Sequence, residues 1–452
     1  DTILKTVDEE RGGWGGGARF PMPPRLLFLL DQEEVETIAH TLDAMDRGGI
    51  HDHLGGGFHR YAVDPDWEIP HFEKMLYDNA QLAGVYLKAW ALTGVTRWLT
   101  VAGMTLEHLC DDLARADGLL ASSISADDPE GEGTYYTWTP DELEQVLGTP
   151  LGRAVAQAYS VSPSGNHEGR SVLVRTGDPG VLSVARSRMR AARKKRPAPE
   201  RDDKAVVAWN AFAAAAFALA GRLLDEQRYL STAQTIVRRL LDEPLGRVVG
   251  GDAPAVLSDF AALIDALFEL HAADGDPRWL IEAVELGQQL CQRFQSADGR
   301  LVHGAIDATG LPEPRSQWVD HAEPAASAAG LLALQKLHAL GVDVDVDFQP
   351  IIADGRRALA ENPEMGPGFL RALRNEQRPM MTTIITGSPP LWEAARRIWR
   401  PRSLLIVTDS SPALAERFPT LRGKGPGRAW ICEGTSCRLP IRSPQRLIEV
   451  LR

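Results

Sequence analysis

The stretch "VVAWNAFAAAAFALAGR" fills residues 206–222 and is apolar on nearly every side when wound as a helix. A surface helix keeps one polar face, so this one must be surrounded by other elements. Elsewhere apolar residues recur at three- and four-residue spacing through 33–47, 73–93, 98–114, 228–241, 257–273, 278–294, 323–339 and 349–361, the pattern of helices with one buried face. One enclosed set of helices alternating with an amphipathic set predicts a double ring. Such an α/α barrel has connecting loops that line a cavity at one end.

Internal repetition supports the ring. Arg97-Trp98-Leu99, Arg228-Tyr229-Leu230 and Arg278-Trp279-Leu280 each open a helix after a short polar turn, and each is followed by an alanine at the same offset. Trp98 and Trp279 agree further, since Cys110 and Cys291 and then two Ala-Asp-Gly turns follow at matching distances. The segments "ARADGLLASSI" and "QSADGRLVHGAI" therefore predict equivalent short hairpins. A helical hairpin of this kind cannot bury its apolar face alone, and stacking neighbours completes the core. Residues 183–202 predict a helix and an exposed loop. From Pro401 the text becomes strand-like ("RSLLIVTDSS", "GRAWICEG"), so the reading divides the chain into a barrel over 1–395 and a small α/β appendage over 396–452.

Composition narrows the partners. The net charge is −12 over 452 residues, and basic residues are dispersed apart from "RSRMRAARKKR" at 186–196, which opposes nucleic acid or an anionic membrane surface as the main partner. No apolar run reaches the ~18 residues expected of a membrane span. Four cysteines do not make a disulfide framework: Cys110 and Cys291 read as buried thiols, and Cys432 and Cys437 flank a turn that could bridge or bind metal, without a second pair to complete a zinc site. A reducing cytoplasmic setting is expected. The chain begins at Asp1 and shows no signal peptide, so the expectation is a fragment or a processed product.

The densest chemistry lies in "GGIHDHLGGGFHRYAVDPDWEIPHFEKMLYDNAQLA" (48–83), which holds four of the eleven histidines. Three consecutive glycines force a loop there, and a helix is expected from Glu73, with Pro70 at its start. A metal reading would use His51, His53, His59 and His71, but no helix face carries them at ligand spacing; neither metal nor cofactor is predicted. A second reading has these groups hydrogen-bonding one another around a buried loop. The favoured reading is a polar cleft for a polyhydroxylated ligand, because acids, amides and aromatic platforms stand together. The candidate proton-transfer residues are Asp52, His53, His59, His71, Glu73, Asp78, Asp203 and Asp259. The candidate ligand-binding residues are Arg60, Trp67, Asn79, Glu168, Trp209, Asn210, Trp318 and Asp320. Helix capping is the plain alternative for Asp259, and Asn210 must find a partner or face the cavity.

With these residues assembled, the chain resembles the spermatogenesis-associated protein 20 family and its bacterial relatives. The resemblance rests on "GGWGGGARFPMP" (12–23), the 48–83 stretch, "SGNHEGRSVL" (164–173), "DDKAVVAWNAF" (202–212), "LSDFAALI" (257–264) and the "ICEGTSC" region. It implies an all-α fold, an (α/α)6 toroid of the six-hairpin glycosidase type akin to N-acylglucosamine 2-epimerases and unsaturated glucuronyl hydrolases. It also implies a thioredoxin-like domain ahead of the barrel as a partner; no Cys-x-x-C occurs in the present chain. Two motifs depart from the family pattern. Asp320-His321-Ala322-Glu323-Pro324-Ala325-Ala326-Ser327 stands where Asp-Gly-x-x-Pro-Ser-Gly-Asn is expected, and Trp209-Asn210-Ala211 stands for Trp-Asn-Gly. The functional expectation is a sugar epimerase, isomerase or glycosidase with an acidic, aromatic-lined bowl. The alternative is a non-catalytic ligand-binding barrel serving a redox domain.

Overall fold

The computed structural model describes residues 2–307, 314–342, 344, 346–409 and 411–452. Six helices close a ring: α1 (Pro23–Gln32), α3 (Leu76–Thr93), α5 (Val207–Leu224), α7 (Leu257–Asp274), α9 (Ala326–Ala339) and α11 (Pro367–Gln377). Each packs on the next, and α11 returns to α1. Outside them lie α2 (Val35–Arg47), α4 (Thr96–Asp112), α6 (Gln227–Leu241), α8 (Arg278–Phe294) and α10 (Phe348–Ala358).

The two layers differ as their sequences demand. Helix α5 buries Ala211, Leu219, Ala216 and Phe217 on different sides, and its small side chains let neighbouring backbones approach closely. Helix α6 buries only Tyr229, Ala233, Ile236, Val237 and Leu240, one stripe at three- and four-residue spacing. Helix α5 is long and apolar enough to cross a membrane by composition, contrary to the sequence expectation, but 78% of that window is buried inside the fold.

The repeat is real in three dimensions. Ala114 bridges Leu120 and Gln295 bridges Leu301 in matching antiparallel turns. Helices α1 and α11 were not anticipated: one is ten residues of largely apolar text behind two prolines, and the other is dense in arginine. The helix expected from Glu73 begins at Leu76, because Pro70 and His71 form strand β2 (Pro70–His71) against β1 (Tyr61–Ala62). Lys74 and Met75 then form β3 (Lys74–Met75), which pairs with β4 (Ser123–Ile124) and through it with β5 (Arg201–Asp202). Between α4 and α5 the chain inserts helices Pro140–Leu147, Thr149–Ala158 and Gly180–Arg193, which share a core of Leu54, Trp138, Leu143, Val155 and Met189.

The C-terminal unit is a four-stranded sheet of order β7-β6-β8-β9, from β6 (Met381–Thr386), β7 (Ser403–Thr408), β8 (Arg428–Glu433) and β9 (Ser436–Cys437). Strand β6 runs parallel to β7 and antiparallel to β8; it lies ahead of residue 396, where the sequence reading began this unit. Cys432 and Cys437 are disulfide-bonded across β8 and β9. The sheet docks on the C-terminal ends of the ring helices. His271 of α7 accepts from the Val407 amide at 2.9 Å through Nε2, and Arg222 of α5 donates to the carbonyls of Arg396 and Ile398 at 3.0 and 3.1 Å.

Asn79 and Asn210 hold their hairpins in the same way. Asn210 donates to Leu120 O and Val206 O and accepts from Leu120 N at 2.8 Å. Replacing it with alanine strands two buried backbone groups, so Asn210→Ala is expected to lose about 2–4 kcal/mol in urea unfolding. Asp203→Ala, which alters an exposed side chain, is expected to leave the midpoint unchanged.

Candidate functional site

The 48–83 stretch folds into a buried polar network. Asp52 accepts from Lys74 Nζ at 2.7 Å, from Arg193 Nη1 at 2.8 Å and from the amides of Leu54 and Gly55, and all three charged side chains are buried. Burial alone would raise the Asp52 carboxyl, but Arg193 and Lys74 overcome it and hold it well below the ordinary carboxylate range. The glycines are needed for clearance as well as for turning. Gly57 has φ +76°, and a Cβ there would lie 2.5 Å from His108 and 2.7 Å from Asn79.

The histidines of this stretch point inward. The His59 ring packs edge-on to Tyr136 and its Nδ1 lies 2.8 Å from Phe72 O; burial, reinforced by Lys74, lowers its pKa to about 3. His53 sits against Gly48 O at 3.1 Å, lowered by burial to about 4. Asn79 is spent on Phe58 and Met75, and buried Trp67 donates to Arg11 O. Asp52, His53, His59, Trp67 and Asn79 are therefore buried and held by partners within the protein.

Other expected residues lie outside this network. Asp203 is exposed and pairs with Arg201 at 2.7 Å. Glu168 lies exposed on a loop at φ 48°. Trp318 donates to Asp354 at 2.8 Å. Asp320 accepts from the amides of Ala325 and Gly368, both at 2.7 Å. Asp259 accepts from the amides of Ala208 and Val256 and from Arg247. His59, Asp203 and Asp259 thus have separate sets of partners.

What the fold does gather is a smaller set at the N-terminal mouth of the ring. Asp78 is the third residue after the α3 cap Met75, the position Asp259 holds after the α7 cap Val256. Asp259 is fully partnered, whereas both Asp78 oxygens are buried without a hydrogen bond among the described residues. Burial raises the Asp78 carboxyl well above its ordinary value; Arg60 opposes this, and Glu323 and Glu73 add to it. Glu323 accepts from Trp209 Nε1 at 2.8 Å and is itself raised by burial. Trp209 meets the edge of Tyr77, with ring centroids 4.8 Å apart. Gln81 donates to Ala322 O at 2.9 Å, tying the 320–324 loop to α3.

Around this set, Arg60 donates to Glu73 at 2.9 Å and remains 42% exposed along its side chain. His71 stacks on Tyr61 and lies 3.0 Å from Glu132. Of the expected residues, the mouth therefore brings together Arg60, Glu73, Asp78 and Trp209, with His71 at its edge. Glu323 and Gln81 were missed as site residues. The signal for Glu323 was its place inside the altered 320–327 motif. Among the described residues, no group of three or more His, Cys, Asp or Glu is arranged to hold a metal ion.

No protein-family model matches the chain. It is similar to spermatogenesis-associated protein 20 of Homo sapiens, with 29% identity over 98% of this chain and 67% of that protein. The Rattus norvegicus protein of the same name gives the same three values. Among solved structures it is similar to D-mannose isomerase, at TM-score 0.49 and 12% identity over 82% of this chain and 81% of that one. Cellobiose 2-epimerase from Bacillus thermoamylovorans gives TM-score 0.46 and 10% identity over the same shares.

The network around Asp52 makes a direct prediction. Asp52→Asn leaves Lys74 and Arg193 buried against a neutral partner, and a loss of about 3–5 kcal/mol is expected at pH 7. Because the folded carboxyl lies well below its ordinary value of 3.8, its contribution is present above that pH and is lost as pH falls below it. Urea titrations at pH 7 and in strong acid should show the gap between wild type and variant shrinking in acid.

Proposed function

We propose that this chain is a carbohydrate-active enzyme that works by carboxyl acid–base chemistry at the mouth of the ring. Asp78 is the proton-holding acid, Glu323 the second carboxyl, Trp209 and Tyr77 the ring platform, and Arg60 with Glu73 the polar rim. The observation that carries the reading is Asp78. A buried carboxyl with neither oxygen satisfied is costly, and the matching position on α7 shows how the fold satisfies such a group when it serves only as a cap. A carboxyl raised by burial keeps its proton to higher pH than an ordinary one and can protonate a leaving oxygen. A second carboxyl beside it supplies the partner that glycoside chemistry uses. Support for a histidine pair as acid and base is weaker, since burial lowers His53 and His59 to about 4 and 3 and both rings are already held against backbone carbonyls.

The test is a panel of mono- and disaccharides screened by thermal shift, with hits followed by NMR for epimerised or hydrolysed products. Asp78→Asn is expected to cut turnover by about 10²-fold or more. The same variant should be more stable than wild type. The Asp78 pKa is raised above 3.8, so wild type holds its full stability below that value and loses some as pH rises through the folded pKa. Asparagine removes that loss, and the gain in melting temperature should grow with pH. Conversion unchanged in Asp78→Asn would overturn the assignment. Binding without conversion in the wild type would favour a ligand-binding toroid serving a thioredoxin-like domain.

A further inference from the structure

Below the mouth the ring encloses a cavity of about 190 Å³, with Gln81, Ser258 and Pro324 towards the helix starts. Its floor belongs to the C-terminal unit, through Trp399, Arg400, Arg402 and Leu404. Much of the wall is apolar, including Leu27, Phe212, Leu219 and Leu332.

The charges that enter this wall do not balance. Arg371 is paired with Asp31 at 2.6 Å, and Lys336 is paired with Asp265. Glu269 is approached from behind the wall by Arg222 at 3.6 Å. Three cations are left over. Arg400 donates to the neutral carbonyl of Val450. Arg402 donates to Asn375 Oδ1 and to the carbonyls of Arg374 and Arg378. Its backbone is left-handed at φ 52°, a conformation costly for a non-glycine residue. Lys88, near the middle of α3, makes no hydrogen bond or ion pair among the described residues. Its Nζ stands 5.8 Å from the centre of the Trp399 ring. Burial lowers the Lys88 ammonium even though Glu269 and Asp265 pull the other way.

An ammonium with an open hydrogen-bonding shell, facing an apolar chamber with two further guanidiniums at its floor, is complementary to one kind of guest. We propose that the lumen is a second binding site, for a small organic monocarboxylate with an apolar body, with Lys88 as its counter-ion and the C-terminal unit as its floor. The sheet then completes a ligand site as well as packing against the ring. This site is independent of the chemistry at the mouth.

The experiment uses the full chain, with hexanoate and benzoate as probes and hexanamide as the uncharged control, read by calorimetry and thermal shift. The carboxylates are expected to bind at millimolar concentration or below and raise the melting temperature, while hexanamide does neither. Lys88→Met keeps a similar volume and is expected to weaken hexanoate about 30-fold or more. Asp78→Asn, which alters the mouth, should leave hexanoate binding unchanged whatever becomes of the sugar reading. The proposal is overturned if neither carboxylate binds the wild type at about 10 mM, if hexanamide binds equally well, or if Lys88→Met binds hexanoate as wild type does. The comparison of hexanoate with hexanamide needs only the wild type, so it decides the matter even if the variant does not fold.

Discussion

The ring gathers the starts of its inner helices at one end, and every helix start leaves backbone N–H groups without intrahelical partners. Little water reaches the places where these helices meet, so side chains must supply the acceptors. Asp259 caps its own helix and also takes the amide of Ala208 on the neighbouring one. Asp320 takes the amides of Ala325 and Gly368, joining the entry of α9 to α11. Asn79 and Asn210 clamp the preceding turns onto α3 and α5. Capping and closing the ring are thus one operation here, and a residue that occupies a cap position without capping is conspicuous against it.

Much of this architecture was legible in the sequence, because its cause is local. A helix with no polar face, such as 207–224, has to be surrounded, and a repeat that matches in tryptophan, cysteine and turn has to fold twice alike. Nine helical stretches read from periodicity lie within three residues of observed helices at both ends. The ring's first and last helices were missed for a local reason too: proline openings and arginine-rich text weaken the periodic signal at the length of about three turns.

The site was less legible, because polar density does not say who pairs with whom. The stretch at 48–83 is crowded with ionisable groups because it buries an ion network, and the residue that completes that network, Arg193, lies 141 positions beyond Asp52. No spacing rule connects the two. Conversely, Asp78 looked like one acid among several. Its distinction is the absence of a partner, which only the arrangement of the other helices can reveal. Aspartates at equivalent helix positions ended in opposite circumstances because Val256 and Ala208 present amides to one of them and nothing comparable faces the other.

The docking of the C-terminal sheet on the far ends of the ring has a geometric consequence. Trp399, Arg400, Arg402 and Leu404 line the cavity at that end, so the C-terminal unit supplies part of its wall. Anything that entered the lumen from the helix-start end would meet the C-terminal unit rather than a through-passage.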